Sequence, residues 1–348
     1  MQAFLLDPSS TRQISTAPGA ILAEEVTIGR RRAFHKGHLV ETRDLALLAT
    51  APGPIHAVRL ASDDVHEDDA GRRLAAALAG PGVVAGEPRQ SRVNLAAAAK
   101  GLLRIDADAV TELNLVPDIS VFTLYDRLPV VAGRVVAGAK ITPVAIAQAN
   151  LAAAEAIAAR GAVVQVKPFL PLKIGVVTTE GMADGARERF RASLCQKIGW
   201  YGGSVLGFKE LPDDPAALAR AIQRFIEAGA DVVLTGGGNT IDPLDAALQA
   251  LPIIDAEMIK FGAPSHPGSM FWLAYRDRTP IFNLASCSMY SGASSADLVL
   301  PWVMAGERVT ERDLAELGHG GLLERADMNF RFPPYDDDGT GSQQSAGE

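Results

Sequence analysis

DVVLTGGGNTIDPLD, residues Asp231 to Asp245, joins a continuous apolar run to three consecutive glycines and a polar turn. Short apolar runs bounded by turn residues are typical of buried strands in a parallel sheet. Glycines at the carboxyl end of such a strand let the backbone approach a ligand closely, and successive N–H groups can then face a phosphate. Because a tight turn needs fewer glycines than this, the pattern predicts an anion-binding loop. The loop lacks the Lys-Ser/Thr of a Walker A sequence and the GxGxxG spacing of a dinucleotide fold.

Short apolar runs alternate with longer amphipathic stretches on both sides of this loop. Strands are predicted at Lys173 to Thr178, Ser204 to Phe208 and Pro280 to Leu284, and helices at Ala183 to Ile198 and from Asp213-Asp214-Pro215 to Gly229. Such alternation is the signature of βα units around a parallel sheet. We therefore predict an α/β fold, with a three-layer domain and a mostly parallel sheet over residues 169–332.

The first half of the chain, residues 1–168, mixes strand and helix signals and is predicted to be a smaller α+β module. Val93 to Leu103 is predicted to be helical because NLAAAAKGLL is rich in helix-forming residues. Thr142 and Pro143 are predicted to cap another helix that ends at Gly161. The KPFLPLK stretch separates the two domains. Residues 333–348 carry almost no apolar side chains and are predicted to be a disordered tail.

Composition excludes several functional classes. The 348 residues include 33 Lys and Arg against 41 Asp and Glu, a net charge of −8, so the basic footprint of a nucleic-acid-binding protein is missing. No window approaches the about 20 apolar residues of a membrane span, and the first residues do not resemble a secretory signal, so we expect a cytoplasmic protein with no membrane partner. Cys195 and Cys287 lack CxxC spacing and are expected to be core thiols. The six histidines form no paired metal-binding motif.

The glycine loop and its strand also carry a family resemblance: VVLTGGGNTIDPLD resembles the signature of the molybdopterin-binding domain of MogA-like and MoeA-like molybdenum-cofactor biosynthesis proteins. In that family the strand ends in T-[ST]-G-G, and a carboxylate follows the loop at the position of Asp245. ELPDDPAALARAI resembles the family's P-D-[DE] element, with Asp213 as its acidic residue. GVVTTEGM, residues 175–182, resembles the strand-to-loop turn that begins the domain. The three elements occur in the family's order.

Weaker similarities extend to the rest of the chain. GAILAEEV near the start is similar to the GRVLAEDV opening of molybdenum-inserting proteins, and GHGGLLE at 318–324 is similar to a MoeA-like branch. That branch also has a KG-x-L element, as in Lys36 to Leu39, and a D-x-x-E-D-x-A element, as in Asp64 to Ala70. The resemblance therefore covers most of the chain and is strongest in the second half.

Two segments depart from the family pattern. Molybdenum-inserting members typically read K-P-G-K-P where this chain has Ser265-His266-Pro267-Gly268-Ser269-Met270, so both lysines that would attract an oxyanion are absent. The L-P-G-N-P expected after the last strand is replaced by Leu284-Ala285-Ser286-Cys287-Ser288. The hydroxyl of Ser269 and the ring of His266 can donate hydrogen bonds, but they supply no fixed positive charge.

The resemblance implies a set of site residues. Asp213 and Asp245 would be the catalytic and Mg²⁺-binding carboxylates, since Mg²⁺ takes one or two carboxylates together with phosphate oxygens. Asp242 is either a third acidic residue facing the phosphate or a turn residue before Pro243. The remaining residues would bind the cofactor, molybdopterin: Thr178, Thr179, Glu180, Thr235, Gly236, Gly237, Gly238, Asn239, Thr240, Asp242, His266, Pro267, Gly268 and Ser269.

The implied activity is Mg²⁺-dependent nucleotidyl transfer from ATP, or molybdenum transfer, at the terminal phosphate or dithiolene of the pterin. One alternative is a non-catalytic module that stores, senses or delivers the cofactor, because the missing lysines leave less catalytic equipment. Another is a nucleotide hydrolase built on the same domain, as in competence-damage-like proteins. A small-molecule pterin is the expected partner, and the resemblance also suggests a homo-oligomer and a molybdoenzyme client.

Overall fold

The computed structural model describes residues 1–89, 91–179, 181–237, 241–284, 294–324 and 330–335. Within these ranges the chain separates into two compact units. The first unit comprises Met1–Ala99, Leu103–Asp126 and Ala132–Val166. The second comprises Lys100–Leu102, Arg127–Val131 and the described residues from Lys167 onward.

The chain up to residue 168 combines short strands with helices. The strands are β1 (Gln2–Leu6), β2 (Ala20–Leu22), β3 (Val26–Ile28), β4 (Arg31–Phe34), β5 (Ile55–Arg59), β6 (Asp64–His66), β7 (Val83–Ala85), β8 (Arg92–Ala97), β9 (Gly101–Ile105), β10 (Ile119–Thr123), β11 (Pro129–Val130), β12 (Val135–Ile141), β13 (Ala145–Ala147) and β14 (Val164–Pro168). The helices are α1 (Thr11–Ser15), α2 (Leu45–Leu48), α3 (Glu67–Leu78), α4 (Ala107–Asn114) and α5 (Gln148–Ala158), with a 3₁₀ turn at Thr42–Asp44.

The sheets of the first unit run in the orders β1-β5-β2, β10-β12-β8-β7, β3-β4 and β13-β6, and their pairs are antiparallel. Helices α3 and α5 pack on each other, and α3 lies against β12 and β8. The mixture of helices and small sheets agrees with the predicted α+β module.

Two local predictions in this unit are wrong. Val93 to Leu103 forms strands β8 and β9 instead of a helix, because Val93, Leu95 and Ala97 alternate inward with period two. That periodicity outweighed the helix propensity of the alanines. Thr142 and Pro143 also do not cap a helix, since β13 intervenes and α5 begins at Gln148 after the N-cap Ala147.

The second unit is organised around one six-stranded sheet. Its strands are β15 (Lys173–Thr178), β16 (Ser204–Glu210), β17 (Val232–Gly236), β18 (Glu257–Phe261), β19 (Trp272–Arg276) and β20 (Thr279–Leu284). Its helices are α6 (Asp184–Trp200), α7 (Pro215–Glu227), α8 (Ala246–Ile253), α9 (Ser295–Met304) and α10 (Glu311–Glu316). The strand order is β16-β15-β17-β20-β19-β18. The first four strands are parallel, whereas β19 and β18 are antiparallel to their neighbours.

Helices cover both faces of this sheet, which makes three layers. One core contains Phe190 of α6 and Val299 of α9 with the strand residue Leu234. The other contains Ile222 of α7 and Ala250 of α8 with other strand residues. Every residue of β17 is buried, as expected for a central parallel strand covered on both faces. The predicted three-layer α/β domain with a mostly parallel sheet is confirmed.

Ordered packing extends to Tyr335, which falls in the segment predicted to be a disordered tail. Its ring contacts Trp200 and Tyr201, and its hydroxyl lies 3.1 Å from that of Tyr201. Burial raises the pKa of both tyrosine hydroxyls, so both stay protonated at neutral pH. The rest of the predicted tail, residues 336–348, lies outside the described residues.

Candidate functional site

Four parallel strands of the second unit end at one edge of the sheet. Thr178 of β15 is in register with Glu210 of β16 and with Gly236 of β17, which is in turn in register with Leu284 of β20. The chain leaves β15 toward α6 on one face and β17 toward α8 on the other. A pair of adjacent strands whose connections diverge in this way is where open α/β sheets bind ligands, outside the carboxyl ends.

The loops after β15 and β17 meet at this edge. Thr178 is buried, and the backbone N–H of Thr179 donates to the carbonyl of Gly236 across a distance of 3.0 Å. The structure thus brings together two of the predicted binding elements, which lie almost sixty residues apart in the chain. Glu180, the third predicted residue of the first loop, lies outside the described residues.

The glycine loop leaves β17 in a conformation that suits glycine. Gly237 has φ +88°, in the left-handed region that other residues rarely adopt. Thr235, the second-last residue of β17, is only 2% exposed, and its Oγ1 has no hydrogen-bond partner among the described residues. Alternation along the strand places Thr235 on the face of Val233, where α7 and α8 pack. Gly238, Asn239 and Thr240 are predicted binding residues that lie outside the described residues.

Two acidic residues after the glycines hold the turn into α8. The Oδ1 atom of Asp242 accepts from the backbone N–H of Leu244 at 2.9 Å, a hydrogen bond typical of an Asx turn. Asp245 is the N-cap of α8, is 6% exposed, and accepts through Oδ1 from the N–H of Ala247 at 2.9 Å. A buried carboxylate at this position holds the backbone where the strand-end loop returns to the helix.

Asp213 and Asp214 have separate roles after β16. Asp214 caps α7, because its carboxylate accepts from the N–H groups of Ala216 and Ala217 at 3.2 and 3.1 Å. Asp213 is exposed and makes no hydrogen bond or ion pair with another described residue. The sheet places β15 between β16 and β17, so the loops that carry Asp213 and Asp245 follow strands that are not adjacent.

The segment from His266 to Ser269 lies between β18 and β19, at the same edge of the sheet. The His266–Pro267 peptide is cis, and the backbone of His266 pairs with Gly321 and Leu323. Gly268 accepts a hydrogen bond from Ser295 Oγ at 2.7 Å, which ties the loop to the start of α9. His266 and Ser269 are themselves exposed. Of the altered segment after Leu284, residues 285–288 lie outside the described ranges.

The edge also holds charged residues that the sequence analysis missed. An open cleft of about 630 Å³ beside the first loop is lined by Thr179, Gly181, Arg187, Arg191, Glu210, Leu211 and Pro212. The Nε atom of Arg187 lies 2.7 Å from Oε2 of Glu210, and this contact raises the pKa of the arginine. The guanidinium of Arg191 lies 5.1 Å from the centre of the Phe208 ring. The two arginines form an i, i+4 pair in the sequence ARERFRASL of α6, a spacing that places both on one face of the helix.

The described side chains at this edge that could bind a metal ion are separate carboxylates, not a cluster. Among the described residues, no group of three or more His, Cys, Asp and Glu side chains is placed to hold a metal ion. Asp213 retains both oxygens for such an ion, whereas Asp245 uses Oδ1 as a helix cap. The described helices also include none with the length and hydrophobicity needed to cross a membrane.

Comparison with known proteins identifies similar solved structures. No family model matches the chain, and no curated protein matches it. Among solved structures, the molybdopterin biosynthesis enzyme MoaB of Thermus thermophilus is 20% identical over 39% of this chain and 98% of its own, with a TM-score of 0.30. The molybdopterin biosynthesis MoeA protein of Pyrococcus horikoshii is 15% identical over 72% of this chain and 80% of its own, with a TM-score of 0.27.

A third similar structure is a molybdopterin biosynthesis protein of Mycobacterium abscessus. It is 18% identical over 38% of this chain and 87% of its own, with a TM-score of 0.25. These three solved structures, to which this chain is similar, are all described as molybdopterin biosynthesis proteins.

Proposed function

We propose that this protein binds molybdopterin, a pterin with a terminal phosphate, at the carboxyl edge of the six-stranded sheet. The observation that carries the proposal is the meeting of the Thr178–Thr179 and Gly236–Gly237 segments at the paired ends of β15 and β17, from which the chain continues to opposite faces of the sheet. The positive φ of Gly237 turns the backbone so that successive N–H groups can face an anion. The resemblance of the glycine loop and its two companion elements to the molybdopterin-binding signature selects this ligand among phosphate-bearing molecules.

Each part of the site has a separate task in this proposal. The backbone of the glycine loop receives the terminal phosphate. Arg191 supplies positive charge from α6, while Arg187 is held in place by Glu210 and by the carbonyl of Met182, 2.9 Å away. Arginine suits this role because its planar donors match phosphate oxygens.

A magnesium ion carried by the phosphates fits Asp213 best. Mg²⁺ is usually held by one or two carboxylates with phosphate oxygens and water. Asp213 is exposed, and Asp245 would supply the second carboxylate. When bound, Mg²⁺ would neutralise charge on the phosphates. The involvement of ATP, a molybdoenzyme client and self-association stay predictions from the sequence motifs.

One feature favours a protein that stores or delivers the cofactor over a protein that inserts molybdate into it. The loop 262–271, which occupies the position of the family's paired lysines, contains no lysine or arginine, and its His266 and Ser269 are exposed. A fixed positive charge for an oxyanion is therefore missing from this loop. Incubation with molybdopterin and MgATP distinguishes the activities, because adenylyl transfer to the terminal phosphate would release pyrophosphate and storage would release none.

Equilibrium binding of molybdopterin to the purified protein, followed by fluorescence of the oxidised pterin, tests the proposal. With Mg²⁺ present, we expect the double variant Gly237→Val/Asp245→Asn to bind at least tenfold more weakly, about 1.4 kcal/mol, because valine cannot adopt the positive φ and asparagine removes the charge with which Asp245 would hold Mg²⁺ on the phosphate. A matched control is Gly229→Val/Asp277→Asn, since Gly229 has φ +86° and Asp277 lies in a distant exposed turn. Equal affinity of the two double variants and the parent chain would refute the proposed site.

The contribution of Arg191 can be measured separately. We expect Arg191→Ala to weaken binding about fivefold, roughly 1 kcal/mol, because an exposed charge–phosphate contact is screened by water and salt. Arg191→Lys should recover part of the loss, since lysine retains the charge without the planar donors. Arg278→Ala is the control, because Arg278 is an exposed arginine in the turn between β19 and β20. An Arg191→Ala variant with unchanged affinity would remove the cleft from the binding site.

A further inference from the structure

A second concave surface lies beside the edge strand β16, on the face of the sheet that α7 covers. This groove has a volume of about 590 Å³. Residues of β16 and its end line one side, and residues of α7 and its end line the other: Gly207, Phe208, Lys209, Leu211, Ala217, Arg220, Ala221, Arg224, Phe225 and Ala228. We call it the β16–α7 groove.

Small residues create the groove. Gly175 and Gly207 are register partners in β15 and β16, and the ring of Phe225 lies directly over both. A Cβ atom on Gly175 would lie 2.5 Å from this ring, so the glycine is what lets Phe225 reach the sheet. Ala217 and Ala221 lie one turn apart on α7, and their small side chains leave space beside the ring. The floor of the groove is therefore apolar and shallow.

The rim of the groove is positively charged. Lys209 lies on the strand side, and Arg220 and Arg224 lie one helical turn apart on α7. All three are exposed, and in the described part of the chain none forms an ion pair. Of the acidic residues close to them in sequence, Glu210 pairs with Arg187, and Glu227 accepts from the neutral Gln223. Three cations without an ion-pair partner among the described residues therefore surround an apolar floor.

The strand beside the groove has a free edge. Within the described ranges, β16 pairs with β15 alone. An irregularity in this pairing leaves Leu206 without a register partner, and beyond it Gly207 to Glu210 continue in regular register. Alternate residues of an edge strand present their N–H and C=O groups outward, where an extended chain can pair with them.

We propose that the β16–α7 groove binds an extended acidic segment of another protein, which adds to the sheet beside β16. Because side chains of a strand alternate between its faces, apolar residues of the segment would reach the groove floor while its main chain pairs with β16. Lys209, Arg220 and Arg224 lie on this same face, so the acidic residues that meet them would stand two or four positions from the apolar ones along the segment. This role goes beyond the proposed pterin site and does not depend on it.

Fluorescence anisotropy tests the proposal with a labelled eight-residue valine–glutamate peptide, in which two central valines and two flanking glutamates occupy every second position and serine fills the others, so that valine and glutamate share one face. We expect saturable binding to the full-length protein, and at least tenfold weaker binding to Arg220→Glu/Arg224→Glu. Arg278→Glu is the matched control and should bind like the parent chain, because it makes the same kind of charge change at an exposed turn away from the groove. A valine–lysine peptide should not bind. Absence of saturable binding, or equal affinity for the double variant, would overturn the proposal.

A second variant separates docking in the groove from general attraction between charges. Ala217→Trp fills the groove and leaves all three cations in place, so we expect it to weaken peptide binding at least fivefold. Retained affinity in this variant would overturn the proposal. Light scattering at the same protein concentration provides another check: a dimer that Arg220→Glu/Arg224→Glu dissociates would identify a second copy of this chain as the occupant and also overturn it. Circular dichroism confirms that each variant is folded.

Discussion

The variant Lys197→Met is expected to lose about 3–5 kcal/mol of unfolding free energy, because it leaves a buried carboxylate without its counter-ion. Lys197 of α6 and Asp297 of α9 form an ion pair in which Nζ lies 2.7 Å from Oδ1. The two side chains are only 12% and 4% exposed, so water screens the pair weakly. Urea unfolding followed by circular dichroism measures the loss.

The carboxylate of Asp297 also caps the start of α9, so a second variant can separate the effect of its charge from that of its capping hydrogen bond. Oδ2 of Asp297 accepts from the backbone N–H of Ser294 at 3.0 Å, forming a capping box. The double variant Lys197→Met/Asp297→Asn removes the charge but retains an oxygen acceptor at the cap, so most of the lost stability should return. Breaking one partner of a buried pair costs more than replacing both. If the double variant were as unstable as Lys197→Met, the buried charge would not be the cause.

A surface pair provides the matched control. Arg312 and Glu316 are exposed and lie one turn apart on α10, with Nε and Oε1 separated by 2.9 Å. We expect Arg312→Met to change the unfolding free energy by no more than about 0.5 kcal/mol, since exposed ion pairs contribute little. A loss as large as that of Lys197→Met would show that distance, not burial, determines the effect.

The elements that the sequence predicts correctly are those with a strong local signal. β17 is a run of apolar residues between polar turns, and α7 carries Pro215 at its first turn and a stripe that includes Leu218 and Ile222. Both elements lie near their predicted limits. At residues 93–103 the alanine-rich composition predicted a helix, but the structure has two strands, whose residues alternate between buried and exposed faces in the first of them. Periodicity was the better guide there because tertiary burial decides between the two structures.

The candidate site was predictable only in part, because some of its residues lie on elements far apart in the sequence. The glycine loop and Asp245 are contiguous in sequence, so their spacing carries the signal. Arg187 and Glu210 lie on different elements, and nothing in their local sequence indicates the ion pair that lines the cleft. The division of roles between Asp213 and Asp214 is also invisible to the sequence. Either aspartate could cap α7, and the hydrogen bonds from the N–H groups of Ala216 and Ala217 assign that role to Asp214.

Gly268→Ala is expected to destabilise the second unit by about 2–4 kcal/mol, through strain and steric overlap together. Gly268 has φ +109°, and an added Cβ would lie 2.6 Å from the backbone nitrogen of Ser295 and 2.7 Å from its Oγ. Because a backbone atom cannot rotate away, the loop 262–271 would have to move from the start of α9. The hydrogen bonds of Ser295 Oγ with Gly268 and with Ser265 would weaken at the same time.

Gly262→Ala separates the two contributions within the same loop. Gly262 has φ +84°, but the atom nearest to its added Cβ, Ser269 O, is 3.7 Å away, an ordinary contact. We expect this variant to lose only about 1–2 kcal/mol, the cost of the left-handed backbone alone. The difference in urea unfolding between the two variants then measures the overlap with Ser295. Equal losses would mean that the loop moves freely away from α9 and that its contact with Ser295 does not hold it in place.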